Sequence, residues 1–202
     1  MNSRARIPLG LTLLRAPLGP AMLAAAVYRP DRIFFGFCLT LAFLSDVFDG
    51  VIARRLDVVT PRLRRLDSVV DTIFYVCVAF AALRLYPAAL EAHAKSIVAL
   101  IALELTRYVI DWVKFRRVAS YHMWSSKLWG LLLFIGFFAL LVFGRAGWTL
   151  SVVIYAGIVA DVEGLAISWV LSEPRTDVAS IVHALRWRDT RASARAMSNQ
   201  GP

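Results

Sequence analysis

Six apolar stretches divide the chain, near residues 7–28, 33–53, 67–86, 94–113, 128–143 and 148–171. At about 1.5 Å per helical residue, most are long enough to cross a bilayer core of roughly 30 Å. Their apolar residues run around the whole helix, whereas a soluble helix of this length would alternate an apolar stripe with a polar face. The pattern predicts an all-α integral membrane protein with six transmembrane helices. The start, "MNSRARIPLGLTLLRAPLG", turns from basic to apolar. It predicts an N-terminal interfacial helix with Arg15 lying along the membrane surface. Pro61 marks the turn after the second stretch and Pro87 ends the third. Residues 1–173 read as one membrane domain. Residues 174–202 read as a cytoplasmic tail that opens as an amphipathic basic helix and ends in a polar, partly disordered segment.

Composition narrows this picture. Of 202 residues, 59% are hydrophobic, and the net charge is +9. Such a charge suggests either nucleic-acid binding or membrane topology, and its placement decides. With a cytoplasmic N-terminus, the inside segments collect Arg4, Arg6, Arg15, Arg54, Arg55, Arg62, Arg64, Arg65, Lys114, Arg116, Arg117, Lys127 and the basic residues of the tail. Only Arg29, Arg32, Arg84, Lys95 and Arg145 fall outside. This asymmetry is the positive-inside pattern of a six-span protein with both termini in the cytoplasm, and no nucleic acid is needed to explain it. Arg15, Pro17 and Pro20 interrupt the first stretch, which argues against a cleaved signal peptide. Cys38 and Cys77 both lie in apolar stretches and read as packing residues, neither a disulfide nor a zinc site.

One segment breaks the apolar pattern. "DVFDGVIARRLDVVTPRLRRLDSVVD", from Asp46 to Asp71, holds five aspartates and five arginines. Residues three or four apart share a helix face. Asp46 and Asp49 therefore point one way near the cytoplasmic end of the second span. Asp67 and Asp71 do the same at the start of the third, which leaves from that side. A single ionised Asp in mid-span costs about 2.5–3.5 kcal/mol on insertion scales. Four brought together repel one another unless cations neutralise them. An all-carboxylate donor set suits Mg²⁺ or Mn²⁺ better than zinc, and two such ions could clamp a phosphoryl group between attacking and leaving oxygens. Gly50 and Ala53, beside Asp49, leave room for a substrate to approach the helix backbone; close helix packing would use small residues equally well.

These residues resemble the signature of the CDP-alcohol phosphatidyltransferase family, and the six-span layout extends the likeness over most of the chain. Asp46, Asp49, Gly50, Ala53, Arg54, Asp67 and Asp71 match the family pattern in identity and spacing, seven of its eight fixed positions. The resemblance implies a membrane enzyme, commonly a homodimer, whose site opens to the cytoplasm of a bacterial inner membrane. Such enzymes are phosphotransferases for substituted phosphate groups. They move a phosphatidyl group from a CDP-lipid such as CDP-diacylglycerol to an alcohol and release CMP, a step of phospholipid synthesis. By carry-over Asp46, Asp49 and Asp67 are metal ligands, and Asp71 is the general base that also touches metal. Asp46, Asp49, Gly50, Ala53, Arg54, Leu63 and Asp67 border the nucleotide and pyrophosphate. Leu63 stands where the family has its second glycine, and Arg64 and Arg65 could supply phosphate contacts in its place.

The acceptor leaves weaker traces. In relatives that use a phosphorylated alcohol, basic residues on the cytoplasmic side of the fourth and fifth spans bind its phosphate, a task suited to Arg and Lys. Arg107, Arg116 and Lys127 are the matching candidates here. Arg107 lies inside a span and needs a partner, with Glu104 and Asp111 nearest in sequence. "SSKLWG" resembles the fifth span of glycerol-phosphate-using relatives, although Trp129 replaces their second lysine. Glycerol 3-phosphate is the first expectation, with inositol phosphate, serine or a lipid alcohol as alternatives. More distant readings are an intramembrane prenyltransferase or a small cation transporter. The gathering of both aspartate pairs at one membrane edge favours neither.

Overall fold

The computed structural model describes residues 6–58, 60–116, 123–171 and 178–187. Arg4, Arg117 and the tail beyond Trp187 lie outside the described residues. Within them the chain is helical and contains no strand. The helices are α1 (Arg6–Tyr28), α2 (Arg32–Arg55), α3 (Pro61–Leu85), α4 (Pro87–Glu91), α5 (Ala94–Phe115), α6 (Trp124–Phe143), α7 (Gly147–Val170) and a short α8 over 181–187. Five are long and apolar enough to cross a membrane: α1, α2, Leu63–Leu85 of α3, α6 and α7. α5 has comparable length, 22 residues, but carries Glu104, Arg107 and Asp111 in its interior. The long helices thus follow the apolar stretches, and five of the six expected spans are established on length and composition.

Helix ends follow local chemistry. The Asp31 carboxylate accepts from the backbone N–H of Ile33 at 2.8 Å and of Phe34 at 3.3 Å, capping α2. Thr60 caps α3 by accepting from the Leu63 N–H at 3.2 Å, and Pro61 takes the first helical position, where no N–H is required. Between them Asp57 turns the chain with φ of 52°, a left-handed conformation that Asp tolerates better than most residues. Pro87 follows the end of α3 and opens α4.

The sequence predicted an interfacial helix ahead of the first span, with Arg15 on the membrane surface. The structure corrects both. α1 is one unbroken helix of 23 residues that runs through Pro17 and Pro20, and Arg15 is 1% exposed. Its buried residues, Pro8, Thr12, Arg15, Gly19, Met22 and Ala26, recur at alternating spacings of four and three, a continuous stripe along one face. Arg15 finds its partners inside the protein, so it has no need of the interface.

The chain divides into two compact units. One comprises residues 1–92 with 134–147; the other comprises 93–133 with 148–202, so α6 contributes to both. In the first, α1 packs on both α2 and α3. Its core gathers Met22, Phe35, Leu39, Phe74, Val78 and Leu140 with small residues such as Ala26, Ala42, Ala81 and Ala82. Lipid is as apolar as these side chains, so helix association here rests on close packing more than on escape from water. Cys38 and Cys77 are both free thiols in this unit, as expected.

In the second unit the buried face of α7 carries Gly157, Ala160, Asp161, Gly164, Ile167 and Ser168. The described part of the expected tail, residues 178–187, packs there. Val178 and Ala184 are buried with Met123, Ile167 and Leu171. The Trp124 N–H donates to the Ala179 carbonyl at 3.2 Å, and the Ile181 N–H to Glu163 at 3.2 Å.

Candidate active site

The site lies in the first unit, where α1, α2 and α3 meet. Its geometry originates at Gly19. A Cβ there would sit 3.0 Å from the Phe74 Cα and 3.2 Å from the Cys77 Cβ, so only glycine lets the α1 and α3 backbones approach this closely. One turn earlier on each helix stand Arg15 and Asp71. Asp67 lies a further turn along α3, and Asp46 and Asp49 come from α2. The four aspartates expected from sequence are therefore brought together.

At their centre is the Arg15 guanidinium. Nη1 donates to Asp46 at 3.0 Å and to Asp71; Nη2 donates to Asp67 at 2.5 Å and to Asp49. Each terminal nitrogen thus ties one aspartate of α2 to one of α3. Thr12, also buried, donates its hydroxyl to Asp49 at 3.0 Å while reaching the Pro8 carbonyl at 3.1 Å. Asp49 is the most enclosed carboxylate, its side chain 6% exposed, and Asp46 the most open at 47%. Asp67 and Asp71 lie between these limits.

The donor set fits a hard divalent cation. One oxygen from each of Asp46, Asp49 and Asp67 lies within 4.8 Å of the others. Opposed ligands on an octahedral ion at about 2.1 Å are about 4.2 Å apart and adjacent ones about 3.0 Å, so the three oxygens are near enough to close on one ion with a modest contraction. The arginine already held there is a stand-in: the carboxylates draw a positive charge to the point where an ion would sit. Gly50 and Arg54 stack one helical turn apart, since a Cβ on Gly50 would meet the Arg54 guanidinium at 3.6 Å. Ala53 is buried, Leu63 and Arg64 are half-buried, and Arg65 is exposed.

The acceptor candidates belong to the second unit. Arg107 of α5 pairs through Nε with Asp161 of α7 at 3.2 Å and through Nη2 with Glu104 at 3.9 Å. Its chain crosses the bare face of Gly164, where a Cβ would stand 2.8 Å from the Arg107 Cδ. Asp111, the other expected partner, instead accepts from the Ser168 hydroxyl at 2.5 Å. Arg116 is exposed at the left-handed C-cap of α5, and Lys127 lies over the Trp124 ring at 5.0 Å. Trp129, which replaces a family lysine, donates its indole N–H to the Val153 carbonyl at 3.1 Å, and its ring fills the space left by Gly157.

Sequence reasoning did not assign Thr12, Arg15 and Asp161 to these networks. The four-three spacing of the α1 stripe was the signal available for the first two. For Asp161 the signal was an acidic residue, with Glu163 two positions on, inside an apolar stretch.

No curated protein and no solved structure matches this chain. The sequence profile of the CDP-alcohol phosphatidyltransferases matches residues 5–163, well over half of the chain and including all of α1, α2 and α3. That span holds every residue of the carboxylate cluster and its arginine, and with it the chain belongs to the CDP-alcohol phosphatidyltransferase family.

Proposed function

We propose that the protein transfers a phosphatidyl group from CDP-diacylglycerol to an alcohol, with Asp46, Asp49 and Asp67 holding Mg²⁺ or Mn²⁺, in a two-metal site, and Asp71 acting as general base. The observation that supports this most directly is the convergence of four carboxylates from α2 and α3 on one cation-holding point. When bound, the divalent ions supply charge neutralisation for the diphosphate and the leaving group. The chain's own residues do the rest. Asp71 takes the proton of the acceptor hydroxyl as its oxygen attacks the lipid-side phosphorus. The bond from that phosphorus to the bridging oxygen breaks, and CMP leaves with the electron pair. Gly50, Ala53, Arg54 and Leu63 border the nucleotide, with Arg54 free at the surface to meet phosphate.

Glycerol 3-phosphate is the acceptor this reading favours, with Arg107, Arg116 and Lys127 as its phosphate contacts. The Arg107–Asp161 pair means that Arg107 would have to share its charge between structure and substrate. α5 serves as the sixth span, its ionisable groups met by α7. Both termini and the site face the cytoplasm of a bacterial inner membrane, residues 174–202 form the cytoplasmic tail, and the enzyme works as a homodimer.

The test is CMP release by purified protein in nanodiscs with CDP-diacylglycerol and Mn²⁺ or Mg²⁺. Glycerol 3-phosphate, inositol phosphate, inositol, serine and phosphatidylglycerol are offered in turn. CMP is expected with one acceptor and is lost in Asp71→Asn. Absence of CMP with every acceptor from a folded, metal-binding protein would overturn the donor assignment.

A further inference from the structure

We infer that Arg15 is the resident counter-ion of the carboxylate site, a built-in cation that a divalent metal must displace in order to bind. This rests on the metal reading proposed above and adds a residue outside the family's aspartate motif. Three observations carry it. First, the guanidinium occupies the convergence point itself, with all four terminal N–H directions spent on the four aspartates. An ion coordinated by the same oxygens would need that volume, and a second positive charge there would be repelled. Second, Arg15 is fixed by the fold. It is 1% exposed, on the stripe that α1 buries against α2 and α3, one turn from the backbone contact at Gly19. Third, its housing is incomplete: the buried Nε–H has no hydrogen-bond partner among the described residues.

The device solves a problem specific to this site. Four carboxylates at the edge of a membrane helix bundle would drive α2 and α3 apart before metal arrives. One buried guanidinium holds them in register and still leaves more carboxylates than cations at the site to attract divalent ions. The arrangement lowers apparent metal affinity, because binding draws only on the conformation in which Arg15 has moved aside. If that conformation is populated to about 10% or less, removing the arginine strengthens binding by about tenfold or more.

The experiment is titration of purified protein with Mn²⁺, following loss of the free-ion EPR signal, for the wild type, Arg15→Met and Arg15→Lys. Tighter binding is expected in Arg15→Met. A smaller gain is expected in Arg15→Lys, whose single ammonium cannot bridge both aspartate pairs. Should Arg15→Met fail to fold, Arg15→Lys decides alone. Unchanged or weaker binding in folded variants overturns the inference and leaves the metal reading standing. If neither wild type nor variants bind Mn²⁺, the inference falls together with that reading.

Discussion

The closest test of how α1 positions the site is Gly19→Ala, a change of one methyl group outside the carboxylate cluster. The new Cβ would meet the Phe74 Cα at 3.0 Å, the Cys77 Cβ at 3.2 Å and the Phe74 carbonyl oxygen at 3.4 Å. Carbon atoms rest comfortably at about 3.5–4.0 Å, so α1 and α3 must separate by about 0.5–1 Å. The nearest obstacle is backbone, which cannot rotate away as a side chain would. Overpacking of this kind costs about 1–3 kcal/mol. For a chain of this size that corresponds to a fall in Tm of roughly 2–4 °C per kcal/mol. The molecule carries its own probes for this. Cys38 and Cys77 lie in the first unit, and all six tryptophans lie in the second. A thiol-reactive dye therefore reports opening of the α1–α3 unit, while tryptophan fluorescence reports the other. Gly19→Ala should lower the thiol midpoint more than the tryptophan midpoint. It should also reduce CMP release, because Arg15 and Asp71 are one turn from the contact. Gly10→Ala is the control: nothing lies within 4 Å of its Cβ, so the change should be neutral or slightly stabilising. An unchanged thiol midpoint in Gly19→Ala would refute the claim that this contact sets the site.

Two further substitutions probe the polar networks. Asp161→Ala leaves the half-buried Arg107 without its 3.2 Å partner and should destabilise the second unit by about 1–3 kcal/mol, read as a lower tryptophan midpoint. The double variant Arg107→Met with Asp161→Leu should recover most of that loss. Thr12→Val removes the hydroxyl that donates to Asp49 and should cost about 1 kcal/mol, seen as a slightly lower thiol midpoint with weakened CMP release.

Much of this architecture was legible in the chain because membrane insertion imposes a coarse and demanding code. The apolar stretches forecast the long helices within a few residues, and Pro61 and Pro87 fell at the helix boundaries as proline's missing N–H requires. The aspartates were legible because three- and four-residue spacings leave little choice of face. Arg15 was misread for a physical reason. A long basic side chain near the start of a first span ordinarily snorkels to the interface. Only the close approach at Gly19, made by a helix far along the chain, turns it inward. The partner of Arg107 was legible in part, since Glu104 does pair with it at 3.9 Å while Asp111 does not. Glu104 is a neighbour on the same helix, but the shorter contact comes from Asp161 on α7, and sequence spacing says nothing about contacts between helices.

The two units show why buried charge alone does not identify an active site. In the second, Arg107 faces one enclosed carboxylate, Asp161, and one that is partly exposed, Glu104. One cation facing two carboxylates is a smaller excess of acid than the first unit holds. In the first, a single guanidinium serves four carboxylates. Thr12 adds a hydrogen bond to Asp49 without adding charge. A fold that needed only a tie between α1, α2 and α3 could have used one aspartate with Arg15. Three carboxylates beyond the one that Arg15 can neutralise form a donor set suited to a hard cation. That larger excess of carboxylates distinguishes the first unit's cluster from the Arg107 pair, and it is why the metal proposal rests on the first unit.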